Sequence, residues 1–367
     1  MNTHLKATGI APVASSFCKE HSMPEWRFPA EWEPQEAVLL AWPHAGTDWA
    51  DRLESVEATF TALIHAITRF QPVLLCAADG GVEQRARGLL AAARVPLERV
   101  RFIEIEYDDT WLRDSGPITL RDAAGAPRFL DFRFTGWGGK FGASRDDALI
   151  AGLAARGVLD AARIERIDFA LEGGAIETDG RGTLLSTWRC LSKRHPRLTR
   201  VQVSEVLRTE LRQQRVLWLE HGYLEGDDTD AHIDTLARLA PDDAIVFQAC
   251  DDRADAHHAE LAAMAAELAE LRTVDGLPYR LFPLPWPRPV LDAGRRLAAS
   301  YANFLVINGA VLVPAYDDPA DVTAAAVLAD AFPDRRIIPV PCRALIWQNG
   351  SLHCLTMQIP QGALSDA

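Results

Sequence analysis

The sequence predicts an α/β protein assembled from about five copies of one strand-and-helix unit, and three observations carry that reading. Short stretches rich in β-branched and aromatic residues alternate with helical patterns along the chain. Four polar stretches interrupt this rhythm at intervals of about 60 residues or twice that. No Gly/Ser-rich or Pro-rich linker divides the 367 residues, so a length that would serve about two average domains is read as one domain over 23–367.

Strands are expected at 37–43 (AVLLAWP), 71–76 (QPVLLC), 101–107 (RFIEIEY), 243–248 (DAIVFQ), 304–316 (FLVINGAVLVPAY) and 335–342 (RRIIPVPC), each a compact apolar run. Helices are expected at 52–70, 83–95, 147–158, 257–272 and 320–332, where helix formers carry apolar residues at spacings of three and four. Residues 1–22 fit neither pattern and read as a loose leader, with Met23 an alternative start.

Composition narrows the class of partner. The 48% apolar and 24% charged content is that of a globular protein. No apolar run reaches the roughly 18 residues of a membrane span, and the leader lacks the basic and apolar segments of a signal peptide. A cytoplasmic protein is expected. A net charge of −13 argues against nucleic acid and suits a small cationic substrate. Six scattered cysteines without CxxC spacing indicate neither a disulfide framework nor a zinc ribbon.

The polar stretches are WLRDSGP (111–117), LEGGAIETDGRGTLLSTW (171–188), GDDTDAHID (226–234) and NGSLHC (349–354). They place Asp114, Glu172, His232 and Cys354 in step with the period, and a ring of units would bring them together on its axis. Counting by the same interval marks positions near 54 and 292 as further units. A strand through HID would put His232 and Asp234 on one face. A strand over 350–358 would send His353 and Cys354 to opposite sides, leaving His353 a structural role. An EF-hand starting at Asp228 fails, because Ile233 and Leu239 stand where Gly and Glu are required. The His and Cys spacings match no recurrent zinc pattern. No metal or other cofactor is expected.

One substrate class suits this set of side chains. Two carboxylates can each accept paired hydrogen bonds from a planar guanidinium and hold its carbon over a thiolate. That carbon is a poor electrophile, so covalent attack by cysteine divides the reaction into easier steps. A bound cation would lower the thiol pKa. A histidine then protonates the departing amine and later deprotonates water.

WLRDSGP, LEGGAIETDGRGTLLSTW, DDTDAHID, ASYANFLVINGAVLVPAYDDPAD and NGSLHCLTMQIP together resemble the agmatine deiminase family, also called the Porphyromonas-type peptidylarginine deiminases, from about Trp26 to Pro360. The resemblance implies the pentein fold, a five-bladed pseudo-symmetric α/β propeller of ββαβ units, and metal-free hydrolysis of agmatine to N-carbamoylputrescine and ammonia. It makes Cys354 the nucleophile, His232 the general acid and base, Asp114 and Asp234 the guanidinium carboxylates, and Glu172 the glutamate that supports the histidine and the substrate. Trp111 and Asp228 fall at substrate-pocket positions, and a homodimer is implied. The chain departs from the family pattern at Ala231, Asn349, Gly350 and Met357 and in STWRCLSKRHP. A deiminase of peptidylarginine, free arginine or another guanidine, an amidinotransferase, and a non-catalytic binding protein of the same fold stay open beside agmatine hydrolysis.

Overall fold

The computed structural model describes residues 26–364, so the leader expected at 1–22 lies outside the described residues. Antiparallel neighbours need only a tight turn, whereas parallel neighbours need a crossover, and the chain uses both in one repeated order. Strands Ile118–Asp122 and Pro127–Arg133 form a hairpin, and Ile164–Ala170 then joins parallel to the second strand after the helix Leu149–Ala155. Ile176–Thr178, Thr183–Thr187 and Arg215–Leu219 repeat the order around the helix Arg200–Glu210. Ala237–Ala240, Ala244–Gln248 and Arg280–Leu284 repeat it around His258–Glu270. Leu305–Ile307, Ala310–Ala315 and Arg336–Pro341 repeat it around Ala320–Ala331.

The fifth sheet joins the two ends of the chain. Met357–Pro360 pairs antiparallel with Gln35–Ala41, after which Val73–Ala77 and Val100–Glu104 add in parallel through the helices Leu53–Thr68 and Gly80–Ala92. Gln35–Ala41 lies between two strands, and its apolar residues are buried on both faces, which is why it reads as an unbroken apolar run. The helix Leu53–Thr68 presses Val56, Phe60, Leu63, Ile64 and Ile67 into the same core as Leu328 of Ala320–Ala331. Fully burying each such side chain contributes about 1.5–3 kcal/mol. Asp79 starts Gly80–Ala92 by accepting from the backbone N–H groups of Gly81 and Val82, a cap that satisfies donors the first turn leaves free.

Three local expectations change. LEGGAIETDGRGTLLSTW contains the hairpin of the second sheet, because Ile176 to Thr178 and Leu184 to Ser186 are buried despite their polar neighbours. HID is not a strand: Ile233–Thr235 is a 3-10 turn entered through Asp230 and Ala231, both at positive φ, and closed by Thr235 Oγ1 donating to the His232 carbonyl. Residues 350–356 form turns, the Thr356 N–H donating to the His353 carbonyl at 3.1 Å, and the strand begins only at Met357.

These turns are how the fold places a site. Asp114, Glu172, the pair His232 and Asp234, Asn303 and Cys354 each stand immediately ahead of the first strand of one sheet, before Ile118, Ile176, Ala237, Leu305 and Met357. Near position 292 there is instead a two-stranded ribbon, Leu291–Asp292 with Arg295–Arg296. That insertion delays the fourth sheet and moves its turn to Asn303.

Candidate active site

The five turn-borne groups converge in the interior. His232 Nδ1 lies 3.7 Å from Asp114 Oδ1 and Nε2 lies 3.6 Å from Glu172 Oε2, with all three side chains buried. Cys354 Sγ lies 3.6 Å from Asp234 Oδ2 and accepts from Asn303 Nδ2 at 3.1 Å. Gly174 passes between them: a Cβ there would stand 2.7 Å from His232 Nδ1 and 2.8 Å from Asp114 Oδ1, so only glycine fits. Its N–H donates to Asp114 Oδ1, while Trp137 Nε1 donates to Oδ2, both at 2.9 Å. Arg194 Nε donates to Glu172 Oε1 at 2.7 Å and Arg194 Nη1 to Asp230 Oδ2 at the same distance.

Buried polar atoms are nearly always hydrogen-bonded, and here several are not. Among the described residues, Glu172 Oε2, Asp234 Oδ1 and both ring nitrogens of His232 have no partner. These are acceptors and a titratable ring, the set that a donor-rich cation would satisfy. Electrostatics agree. Burial pushes the Cys354 thiol well above its usual range, and the Asp234 and Asp114 carboxylates push it further. Burial opposes charge on His232, yet Asp114, Cys190 and Glu172 together hold its pKa well above that of free imidazole. Burial alone would raise Glu172 and Asp234, but His232 and Arg194 draw the first below the ordinary carboxylate value, and His353, His232 and Arg238 the second. Without ligand these shifts favour a neutral thiol, a protonated imidazole and ionised Glu172 and Asp234, whereas burial, with Asp234 and Glu172 nearby, raises Asp114 above the ordinary carboxylate value.

Cys354 opens onto a cleft of about 510 Å³ lined also by Trp111, Asp114, Trp137, Phe141 and Asp228. All seven residues singled out in the sequence are therefore at the site, Trp111 and Asp228 on the cleft wall. A Cβ at Gly350 would stand 2.3 Å from the Trp111 ring, so a side chain there would force the indole to move. The mouth carries Asp48, Asp109, Asp146 and Asp228 beside Arg295. Burial pushes Asp109 and Asp146 up to about 7 and raises Asp228. Arg295 is already bonded to Asn349 Oδ1 and the Trp347 carbonyl.

The sequence reading missed Asn303, Trp137 and Arg194. Asn303 sat within ASYANF and was displaced from the period by the ribbon insertion. Trp137 and Arg194 carried no signal, because each reaches the site from a segment that delivers no group in the repeat. It also expected His353 and Cys354 on opposite sides, whereas both reach Asp234 Oδ2, His353 Nδ1 at 2.7 Å. The turn, in place of a strand, allows adjacent side chains to converge. Two buried groups have metal-like spacing, Glu172 with Cys190 and His232, and Glu31 with Glu177 and His353. In each an arginine is already paired with a carboxylate, Arg194 with Glu172 and Arg238 with Glu31 and Glu177.

The comparisons agree with one another. The agmatine deiminase of Pseudomonas aeruginosa (strain UCBPP-PA14) is 35% identical over 363 residues, covering 91% of this chain and 95% of that protein. The structure of a protein from Porphyromonas gingivalis, given provisionally as an arginine deiminase, is 46% identical with a TM-score of 0.86, covering 92% of this chain and 99% of that one. The C. jejuni agmatine deiminase, in a cysteine-to-serine variant with substrate bound, is 34% identical with a TM-score of 0.84, covering 92% of this chain and 97% of that one. Residues 27–360 match the family described as Porphyromonas-type peptidyl-arginine deiminase. With that span and those relatives, the chain belongs to the Porphyromonas-type peptidyl-arginine deiminase family.

Proposed function

We propose that this chain is a hydrolase acting on the C–N bond of a guanidine, converting agmatine to N-carbamoylputrescine and ammonia. The observation that carries the substrate is the acidic mouth: Asp48, Asp109, Asp146 and Asp228 surround the cleft that leads to Cys354. A guanidinium carbon at the thiol leaves the far end of the ligand among carboxylates, where an amine is favoured. The relatives named agmatine deiminase support the same reading.

In this mechanism Asp114 and Asp234 hold the guanidinium, and its charge lowers the thiol pKa. As the guanidinium enters, the Cys354 thiol gives up its proton to solvent, and the thiolate adds to the guanidinium carbon. His232, already protonated, gives its proton to one amino group, which leaves as ammonia, and a thiouronium remains on Sγ. Water then adds to that carbon while His232 takes one of its protons, and as the C–S bond breaks the remaining hydroxyl proton passes through solvent to the released ammonia, which leaves the neutral ureide and restores the thiolate. Glu172 keeps His232 charged and in place. The five sheets stand as propeller blades about this site, each contributing from the turn ahead of one strand of its antiparallel pair.

Arg295 at the mouth favours a second reading, in which a ligand carboxylate binds there and free arginine is the substrate. Ammonia release from agmatine, arginine and an arginine peptide, by wild type and Cys354→Ala, separates the two. Cys354-dependent release from agmatine alone is expected. Release from arginine in its place would keep the chemistry and change the substrate, and no Cys354-dependent release from any guanidine would overturn the reading.

A further inference from the structure

His353 follows no part of the mechanism above, does not line the cleft and is 1% exposed. Both of its ring nitrogens nonetheless face carboxylates. Nδ1 is 2.7 Å from Asp234 Oδ2 and Nε2 is 2.7 Å from Glu31 Oε2. Ionised carboxylates only accept, so a ring that satisfies both donates from both nitrogens. Behind it the arrangement is rigid. Glu31 also accepts from Arg238 Nη2 at 2.6 Å and from the Val306 N–H at 2.9 Å, and Arg238 pairs in turn with Glu177 and the Phe304 carbonyl. The His353 N–H donates to Asn303 Oδ1 at 3.1 Å, fixing the backbone beside the nucleophile.

Asp234 is the end of this chain of contacts. Its Oδ2 is held by His353 and faces Sγ, while its Oδ1 has no partner among the described residues. We propose that His353 is a positioning residue for the reaction, whose Nδ1–H locks the Asp234 carboxylate so that Oδ1 is left for the guanidinium, with Glu31 as the anchor that orients the ring. The inference rests on the deiminase reading and deepens it: the residue beside the nucleophile acts on the substrate through Asp234, not on the thiol.

Two near-isosteric substitutions separate the ring's two bonds. The asparagine amide in His353→Asn reaches about where Nδ1 stood and keeps the donor to Asp234. The amide in His353→Gln reaches about where Nε2 stood and keeps only the donor to Glu31. Misplacing a group that orients substrate costs on the order of a hundredfold. His353→Asn is therefore expected to keep kcat/KM for agmatine within about tenfold of wild type. His353→Gln is expected to lose about a hundredfold, with KM raised, although both lose a similar share of stability in a denaturant titration. Binding of agmatine to each variant in a Cys354→Ser background should show the same order. Equal losses in the two variants, or a more active glutamine variant, would overturn the proposal. Should neither fold, nitrogen-15 NMR of histidine-labelled wild type decides: the ring coupled to Asp234 must carry N–H on both nitrogens, and a bare Nδ1 sinks the idea. Wild type that releases no ammonia from any guanidine would instead count against the deiminase reading itself.

Discussion

Below Cys354, the carboxylates of Asp234, Glu31 and Glu177 each face a cation of the chain itself, His353 or Arg238. Above it, Asp48, Asp109, Asp146 and Asp228 line the cleft, and Arg295 beside them is occupied elsewhere. The acids are similar in kind, but those of the floor are hydrogen-bonded to basic side chains of the chain itself, whereas Asp109 and Asp146 at the mouth accept from backbone N–H groups. A floor completed before ligand arrives keeps its shape without reorganising, which is what orienting a guanidinium requires. At the mouth, burial raises Asp109 and Asp146, so they take up protons more readily than free carboxylates, and a cationic ligand competes with those protons.

Removing the nucleophile tests the floor most severely. Cys354→Ala should reduce ammonia release by more than about a thousandfold, since the covalent route disappears. Agmatine binding, measured by calorimetry, should survive. Loss of binding together with loss of rate would mean that Sγ helps to hold the floor. Next in size is Arg238→Met, which leaves Glu31 and Glu177 buried without their shared cation and should cost about 3–5 kcal/mol in a denaturant titration. A near-neutral result would show that the floor's charges are not mutually supporting.

The mouth gives a smaller, pH-dependent effect. Because burial pushes Asp109 and Asp146 up to about 7, they bind protons in the empty cleft below that pH, and a cation binds best once those protons have left. Agmatine affinity should therefore rise with pH between about 6 and 8, by about tenfold for one such group, and level off above. Asp109→Asn should raise KM by several-fold and flatten this profile, and an unchanged profile would remove the mouth from substrate recognition. Last, Ala231 holds φ at +72° beside His232, a conformation that costs a residue with a Cβ about 1 kcal/mol or more. Ala231→Gly should leave stability unchanged or raise it by up to about 1 kcal/mol, and a marked loss would show that the methyl group is packing, not merely tolerated.

The same division governs what could be read in the sequence. Asp114, Glu172, His232 and Cys354 were visible because each unit presents one group at the same place in its own repeat. Asp234 followed from its nearness to His232. Asn303 obeyed the rule too, but the ribbon at 291–296 shifted it out of step. The supporting charges were not legible. Glu31, Arg238 and Glu177 come from an N-terminal turn and the hairpins of two sheets, and only folding brings them within reach of His353. Arg238 and Glu177 also sit in short strands where a charged residue ordinarily marks a solvent face, whereas here both are buried against each other. The strands of the first sheet were likewise hidden among charged residues such as Arg128, Asp131 and Arg166, where Arg128 pairs with Glu165 and Arg166 with Asp131 across two neighbouring strands.

The pairing of Met357–Pro360 with Gln35–Ala41 also sets an order of events during synthesis. Cys354 leaves the ribosome after every other group of the site, and its sheet closes only when strands from the two ends of the chain meet. Contacts this distant in sequence slow folding, because the chain between them must be ordered before the contact is gained. The three sheets between Ile118 and Leu284 can thus form before the thiol arrives, whereas Asp234, held by His353, takes its final place only with the segment that carries Cys354.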